Sequence, residues 1–101
     1  MEDKKNLTLQ EIKDLLAELG YEDTVVFDNN LGYDYASAFI GVSDDGRAIY
    51  DYDLMVKFIV DSGDDMTEQD AIEWIDYNTI RALPYAGKMA PIIMYPIDRY
   101  I

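Results

Sequence analysis

The first strong pattern in the chain is amphipathic, with apolar residues recurring every three or four positions over residues 9–19. This spacing places them on one face of an α-helix, so it predicts a helix that docks on a sheet. Thr8 and Glu11 are spaced as a capping box at its start, and Gly20 is a typical residue after a last helical turn. A second run of the same kind predicts a helix at about 53–62.

The third amphipathic stretch contains the only tryptophan of the chain and predicts a helix at about 68–82. Thr67 is followed after three residues by Asp70, which is again the spacing of a capping box. Pro84 disfavours helical geometry in the residue before it, so we expect the helix to end at about Leu83. The stripe expected to be buried consists of Ala71, Ile72, Ile75, Thr79 and Ala82.

Short β-branched and aromatic runs elsewhere in the chain predict strands. Residues 24–28 and 92–95 are two such runs. Residues 37–42 and 47–51 flank an Asp-Gly pair, which is the typical turn of a β-hairpin. Gly41 within the first arm of this hairpin indicates either a bulge or a close approach of another backbone.

Together these elements predict a single α+β domain over residues 1–101, with the element order α-β-β-β-α-α-β. We expect a small, mostly antiparallel sheet of about four strands packed against three helices. Residues 1–6 are expected to be frayed, and residues 96–101 are expected to form a tail. No apolar run has the length of a membrane span, and the N-terminal stretch lacks the pattern of a signal peptide, which indicates a cytoplasmic protein without membrane contact.

The formal net charge is −13, and it is concentrated in the middle of the chain. Residues 1–20 carry three bases against five acids, a charge of −2, and residues 77–101 carry three bases against one acid, a charge of +2. Residues 21–76 carry two bases against fifteen acids, a charge of −13. Such a segment repels phosphate, so we expect no direct nucleic-acid binding, whereas a basic protein partner would be attracted. Solubility alone is the alternative interpretation.

The chain has no histidine and no cysteine, which removes the commonest general base, thiol chemistry and disulfides. The acidic stretch 28–32 places glycine at the fifth position, whereas a calcium-binding loop needs it at the sixth. The chain also lacks a phosphate-binding loop and a dinucleotide fingerprint. We therefore expect no catalytic residues, no cofactor and no dedicated metal site. Loose Mg²⁺ or Ca²⁺ association at Asp44/Asp45 or Asp64/Asp65, and a small carboxylate-dependent enzyme, are the alternatives.

Two stretches carry a resemblance to known proteins: AIEWIDYNTIRALPYAGKMAPIIMY at 71–95 and GVSDDGRAIYDYDLMVKFI at 41–59. They resemble small acidic proteins of Firmicutes and of the phages and prophages that live in them, over about residues 21–95. No activity is established for that group, so the resemblance implies no catalytic residues. In size, acidity and lack of cysteine the chain is similar in character to anti-CRISPR and other anti-defence inhibitors, several of which imitate DNA.

These observations predict an acidic inhibitor that occupies a basic groove of a partner, such as the nucleic-acid channel of a host defence nuclease. Trp74 and Tyr77 would be its apolar anchors. A host housekeeping module that binds through the Trp74–Arg81 helix face is the second hypothesis. In a third interpretation Trp74 and Tyr77 belong to the core or its edge, and Tyr77 merely forms a cation–π pair with Arg81. The acids predicted to bind the partner are Asp44, Asp45, Asp64, Asp65, Glu68, Glu73 and Asp76.

Overall fold

Three α-helices lie within residues 7–100, the part of the chain that this computed structural model describes. They are Leu9–Glu18 (α1), Tyr52–Val60 (α2) and Glu68–Trp74 (α3), and each begins within one residue of its predicted start. The predicted frayed segment 1–6 lies outside the described residues. Three further side chains are also left undescribed, those of Leu31, Arg99 and Tyr100.

The helices pack with a three-stranded sheet in the order β1-β2-β3, formed by Phe39–Val42 (β1), Ala48–Asp51 (β2) and Ile92–Met94 (β3). β1 and β2 form the predicted antiparallel hairpin, and the register shift between Phe39 and Gly41 confirms the bulge. β3 instead pairs parallel to β2, because the chain returns to the same end of the sheet through the helices. The α+β class is therefore confirmed, but the sheet is mixed rather than mostly antiparallel.

Residues 24–28, predicted as the first strand, lie outside the sheet. Side chains rather than a ladder attach them: the Phe27 N–H donates to the Tyr50 hydroxyl at 3.2 Å, and the Thr24 hydroxyl donates to the Gly46 carbonyl at 2.8 Å. Their β-branched composition indicates a segment that packs on a surface, which an irregular backbone can also do. The prediction of four strands is therefore wrong, and the order of helices and strands is α-β-β-α-α-β.

The chain continues after α3 in two other helical forms. Ile75–Thr79 is a π-helical segment, and Ile80–Met89 is a 3-10 segment interrupted at Gly87, where φ is 80°. Pro84 lies inside the 3-10 segment, so the predicted end of the helix at Leu83 is wrong. The fixed φ of proline lies within the range of a 3-10 helix, so the ring is compatible with this winding.

The change of winding also alters which side chains of the predicted stripe are buried. Ala71, Ile75 and Thr79 are buried as expected, whereas Ala82 is exposed. A spacing of 3.6 residues per turn no longer applies once the backbone changes to π and then 3-10 geometry. A sequence pattern that assumes one continuous α-helix therefore fails after Thr79.

Two clusters of buried residues form the core. The main cluster joins the sheet, α2, α3 and the segment around Phe27 and Tyr35. The smaller cluster consists of Ile12, Leu16 and Ala36, and it seats α1. The radius of gyration is 13.4 Å, as expected for a single globule of this length. Within the described residues, no helix combines the length and the apolar character that crossing a bilayer requires.

Candidate functional site

The turn between α2 and α3, residues 61–67, carries two of the candidate acids, Asp64 and Asp65. Gly63 and Asp65 both have positive φ, 92° and 59°, which bends the chain sharply between the two helices. The Asp64 carboxylate accepts a hydrogen bond of 2.6 Å from the Tyr33 hydroxyl. This hydrogen bond is the main cause that raises the pKa of Tyr33 above its usual value. The α2–α3 turn is therefore fixed to a distant part of the chain.

A surface depression beside this turn, with a volume of about 310 Å³, has three acids and one base on its walls. They are Asp53, Asp61, Glu68 and Lys57, which lie with two valines. Lys57 Nζ is 2.9 Å from Asp61 Oδ2, but these side chains are 68% and 58% exposed, so the ion pair contributes little stability. Glu68 belongs to the predicted set, whereas Asp53 and Asp61 were missed. Asp53 and Asp61 each lie four residues from Lys57, and this spacing in the sequence could have indicated that the three side chains lie together on one face of the helix.

Asp44 and Asp45 lie in the β1–β2 turn, where their surroundings are different. The Ser43 hydroxyl donates to the Asp45 carboxylate. Next to them, Arg47 Nε donates to the Ala90 carbonyl at 2.8 Å, which ties the hairpin to the segment before β3. The hairpin acids and the acids of the α2–α3 turn therefore have different neighbours.

The seven predicted acids share one property, which is exposure: each of their side chains is open to solvent. The whole chain has 21 acids and 8 bases, so at least 13 acids have no basic counterpart even if every base neutralises one acid. Exposed carboxylates without counter-charges add up to a negative potential over the surface. Five of these exposed acids lie in the α2–α3 turn or follow it in the chain: Asp64, Asp65, Glu68, Glu73 and Asp76.

The face that contains Trp74 divides into a packed half and an exposed half. Trp74 meets Tyr33 edge-on with ring centroids 4.9 Å apart, and it packs against the main core. Gly32 approaches its indole so closely that a Cβ at position 32 would lie 2.5 Å from the ring. Tyr77 is 67% exposed, and Arg81 Cζ lies 4.9 Å from its ring centroid, so the predicted cation–π pair is present. Tyr77 is therefore available as an anchor, whereas Trp74 mainly supports the fold.

A small apolar pocket lies behind the π-helical segment, between residues 25–27 and the chain before β3. Tyr35 is buried on its wall with a left-handed backbone, and its hydroxyl shares a hydrogen bond of 2.7 Å with the Thr79 hydroxyl. Burial raises the pKa of Tyr35 to about 12. The pocket volume is only about 80 Å³. Small-molecule sites usually measure roughly 300–1,000 Å³, so this pocket is too small for a typical metabolite or cofactor.

No group of three or more carboxylates is arranged to hold a metal ion in residues 7–100. Comparison with protein-family models, with curated proteins and with solved structures finds no match to this chain. The described residues present a strongly acidic surface with exposed aromatic and aliphatic side chains.

Proposed function

We propose that the protein is an acidic inhibitor that binds in the basic groove of a partner protein. The observation that carries this proposal is the excess of 13 acids over bases, together with the exposure of all seven predicted carboxylates. A surface of this kind attracts a basic surface and accelerates the encounter with it. It also repels nucleic acid, so the expected partner is a protein.

The partner class we propose is a nucleic-acid-binding protein of the host defence, such as a nuclease. Its nucleic-acid channel is basic, and carboxylates spaced along a rigid surface can take the place of phosphates there. The hydrogen bond from Tyr33 and the two left-handed residues support such rigidity at the α2–α3 turn. The resemblance to phage and prophage proteins supports an anti-CRISPR-like, phage-encoded role in the cytoplasm.

The test is a nuclease-inhibition assay with charge-reversed variants. Cleavage of DNA and RNA by purified defence nucleases would be measured with the wild-type protein and with D64K/D65K/E68K. Inhibition by wild type should decrease steeply with salt, and the variant should inhibit about a hundredfold more weakly, because several charge contacts are reversed.

The matched control is D14K/E22K/D23K, which changes the net charge by the same amount at exposed positions outside the predicted set. Circular dichroism would establish that both variants fold. The proposal fails if reversal at the α2–α3 turn leaves inhibition or partner binding as it was.

A housekeeping interaction module is the second candidate function, and the exposed pair of Tyr77 and Arg81 favours it. Exposed tyrosine and arginine are typical energetic centres of interfaces, and the 4.9 Å stacking holds this pair in place before binding. The double variant Y77A/R81A would abolish binding through this face. In the inhibitor the same variant removes only one apolar anchor, so inhibition should weaken but keep its steep dependence on salt, and the two functions are separable in one experiment.

A further inference from the structure

An apolar groove with a volume of about 360 Å³ lies between α1 and β1. Every residue that lines it is aliphatic, aromatic or glycine. Four large side chains on its walls are exposed: Leu15 by 39%, Leu19 by 60%, Tyr21 by 37% and Ile40 by 47%. They are four of the ten exposed large hydrophobic side chains in the described residues, and all four line one groove.

The groove exists because the apolar stripe of α1 is wider than the surface that it covers. Ile12 and Leu16 face the smaller core cluster and are 0% and 4% exposed. Leu15 and Leu19 follow these residues by three positions, so they lie beside the buried stripe rather than within it. Ile40 protrudes on the opposite wall at the bulge of β1. The fold of the described residues therefore leaves two leucines of α1 available for binding.

Within the described residues, the charges that neighbour Leu15 along α1 are negative. Glu11 and Glu18 stand four residues before and three residues after Leu15, which makes them its neighbours on the helix surface. Both carboxylates are exposed. Lys13 lies about 160° around the helix from Leu15, so it does not balance them. An apolar groove with acids beside it is complementary to a partner segment that carries apolar and basic side chains.

The backbone of β1 favours a helical partner over an added strand. The register shift between Phe39 and Gly41 interrupts the regular ladder, and a bulge of this kind discourages pairing of a further strand at an edge. A second copy of this chain is also disfavoured. An isologous contact would place the same acids of two molecules, each with a net charge of −13, against one another.

We infer that the groove between α1 and β1 binds a basic amphipathic helix of the partner. Apolar side chains of that helix fill the space between Leu15, Leu19 and Ile40, and its lysines or arginines lie against Glu11 and Glu18. The inference deepens the proposed function and rests on it in one respect, that the partner is basic. It adds an apolar contact that salt does not weaken.

The test begins with a display library of random 16-residue peptides selected on the intact protein. The selected peptides should share apolar residues at i, i+3 or i+4 and i+7, with lysine or arginine between them. One such peptide would then be titrated calorimetrically into the wild type and into L15S/L19S. The variant should bind at least about tenfold more weakly, since the two leucines supply most of the exposed apolar wall on α1.

The control variant V60S/Y85S removes exposed apolar side chains outside the groove and should bind the peptide as the wild type does. The inference is overturned if the selected peptides lack the basic amphipathic pattern, or if L15S/L19S binds them undiminished. It is also overturned if sedimentation shows a wild-type dimer that L15S/L19S abolishes, because the occupant is then a second copy.

The failure of this inference is distinguishable from failure of the proposed function. D64K/D65K/E68K should retain peptide binding, because none of its three positions lines the groove. Peptide binding without any nuclease inhibition would reject the inhibitor function and support the groove. Inhibition that L15S/L19S leaves intact would reject the groove as a contact of that partner and support the inhibitor function.

Discussion

Replacing Gly32 by alanine should destabilise the protein strongly, because two independent penalties fall on one added Cβ. The backbone of Gly32, with φ 116° and ψ −65°, is strained for any residue with a Cβ, at a cost of about 1–3 kcal/mol. The new atom would also lie 2.5 Å from Cη2 and 2.8 Å from Cζ2 of Trp74. Overpacking of this kind costs about 1–3 kcal/mol, since the indole also packs against Tyr33 and the main core.

The two penalties together predict a loss of roughly 2–6 kcal/mol, a large part of the roughly 5–15 kcal/mol that stabilises a typical domain. Urea unfolding followed by circular dichroism and by the fluorescence of Trp74, the sole tryptophan, would measure it. The midpoint should decrease while the slope with urea stays constant, because the unfolded state is the same.

The matched control is Gly87→Ala, at which φ is 80° but no atom lies within 4 Å of the added Cβ. This variant has the backbone penalty alone. The double variant G32A/W74L should recover the steric part of the loss, which would appear as non-additivity of the single effects. If G32A costs no more than G87A, the close packing of Trp74 on Gly32 is refuted.

Two further predictions concern tyrosines. Burial raises the pKa of Tyr35 to about 12 and also raises that of Tyr50, so the folded protein keeps protons that the unfolded chain loses. The free energy of unfolding should therefore be unaffected below about pH 10 and should decrease from there towards pH 12. The decrease should be less steep in the variant Tyr35→Phe than in the wild type, and equal slopes in the two proteins would contradict this. The variant Y77A/R81A should change stability by less than about 1 kcal/mol in thermal melts, because this cation–π pair is exposed, and a larger loss would show that Tyr77 is packed.

The features that the sequence predicts correctly are those whose bonds span a few residues. The capping boxes of Thr8 with Glu11 and of Thr67 with Asp70 both form, because each needs only groups three positions apart. The hairpin and its bulge at Gly41 follow from local turn chemistry in the same way.

The features that were missed depend on distant partners. The hydroxyl of Tyr50 binds the backbone at Phe27, so the predicted first strand has a side-chain attachment instead of a ladder. Nothing near Ile92 in sequence indicates that it pairs with Ile49, and only the assembled helices bring them side by side. Such pairings cannot be deduced from local propensity.

The candidate site was likewise predictable only where local properties of the residues decide it. The exposure of carboxylates such as Asp65 follows from their charge, because an unpaired charge is costly to bury. For Trp74 the sequence left two interpretations, core and interface, because an aromatic residue on a helix suits both, and the core interpretation is the one that holds. Gly32 and Tyr33, about forty positions earlier in the chain, decide that it packs inward.

The parallel pairing of β3 with β2 has a consequence for the chain while it is being synthesised. Residues 52–91 separate the two strands, so one edge of the hairpin is uncovered until those forty residues have left the ribosome and folded. An uncovered edge is where nascent chains join one another. Fifteen acids lie among residues 21–76, so much of this negative charge is already present on the unfinished chain. We expect the mutual repulsion of these acids to keep unfinished molecules apart.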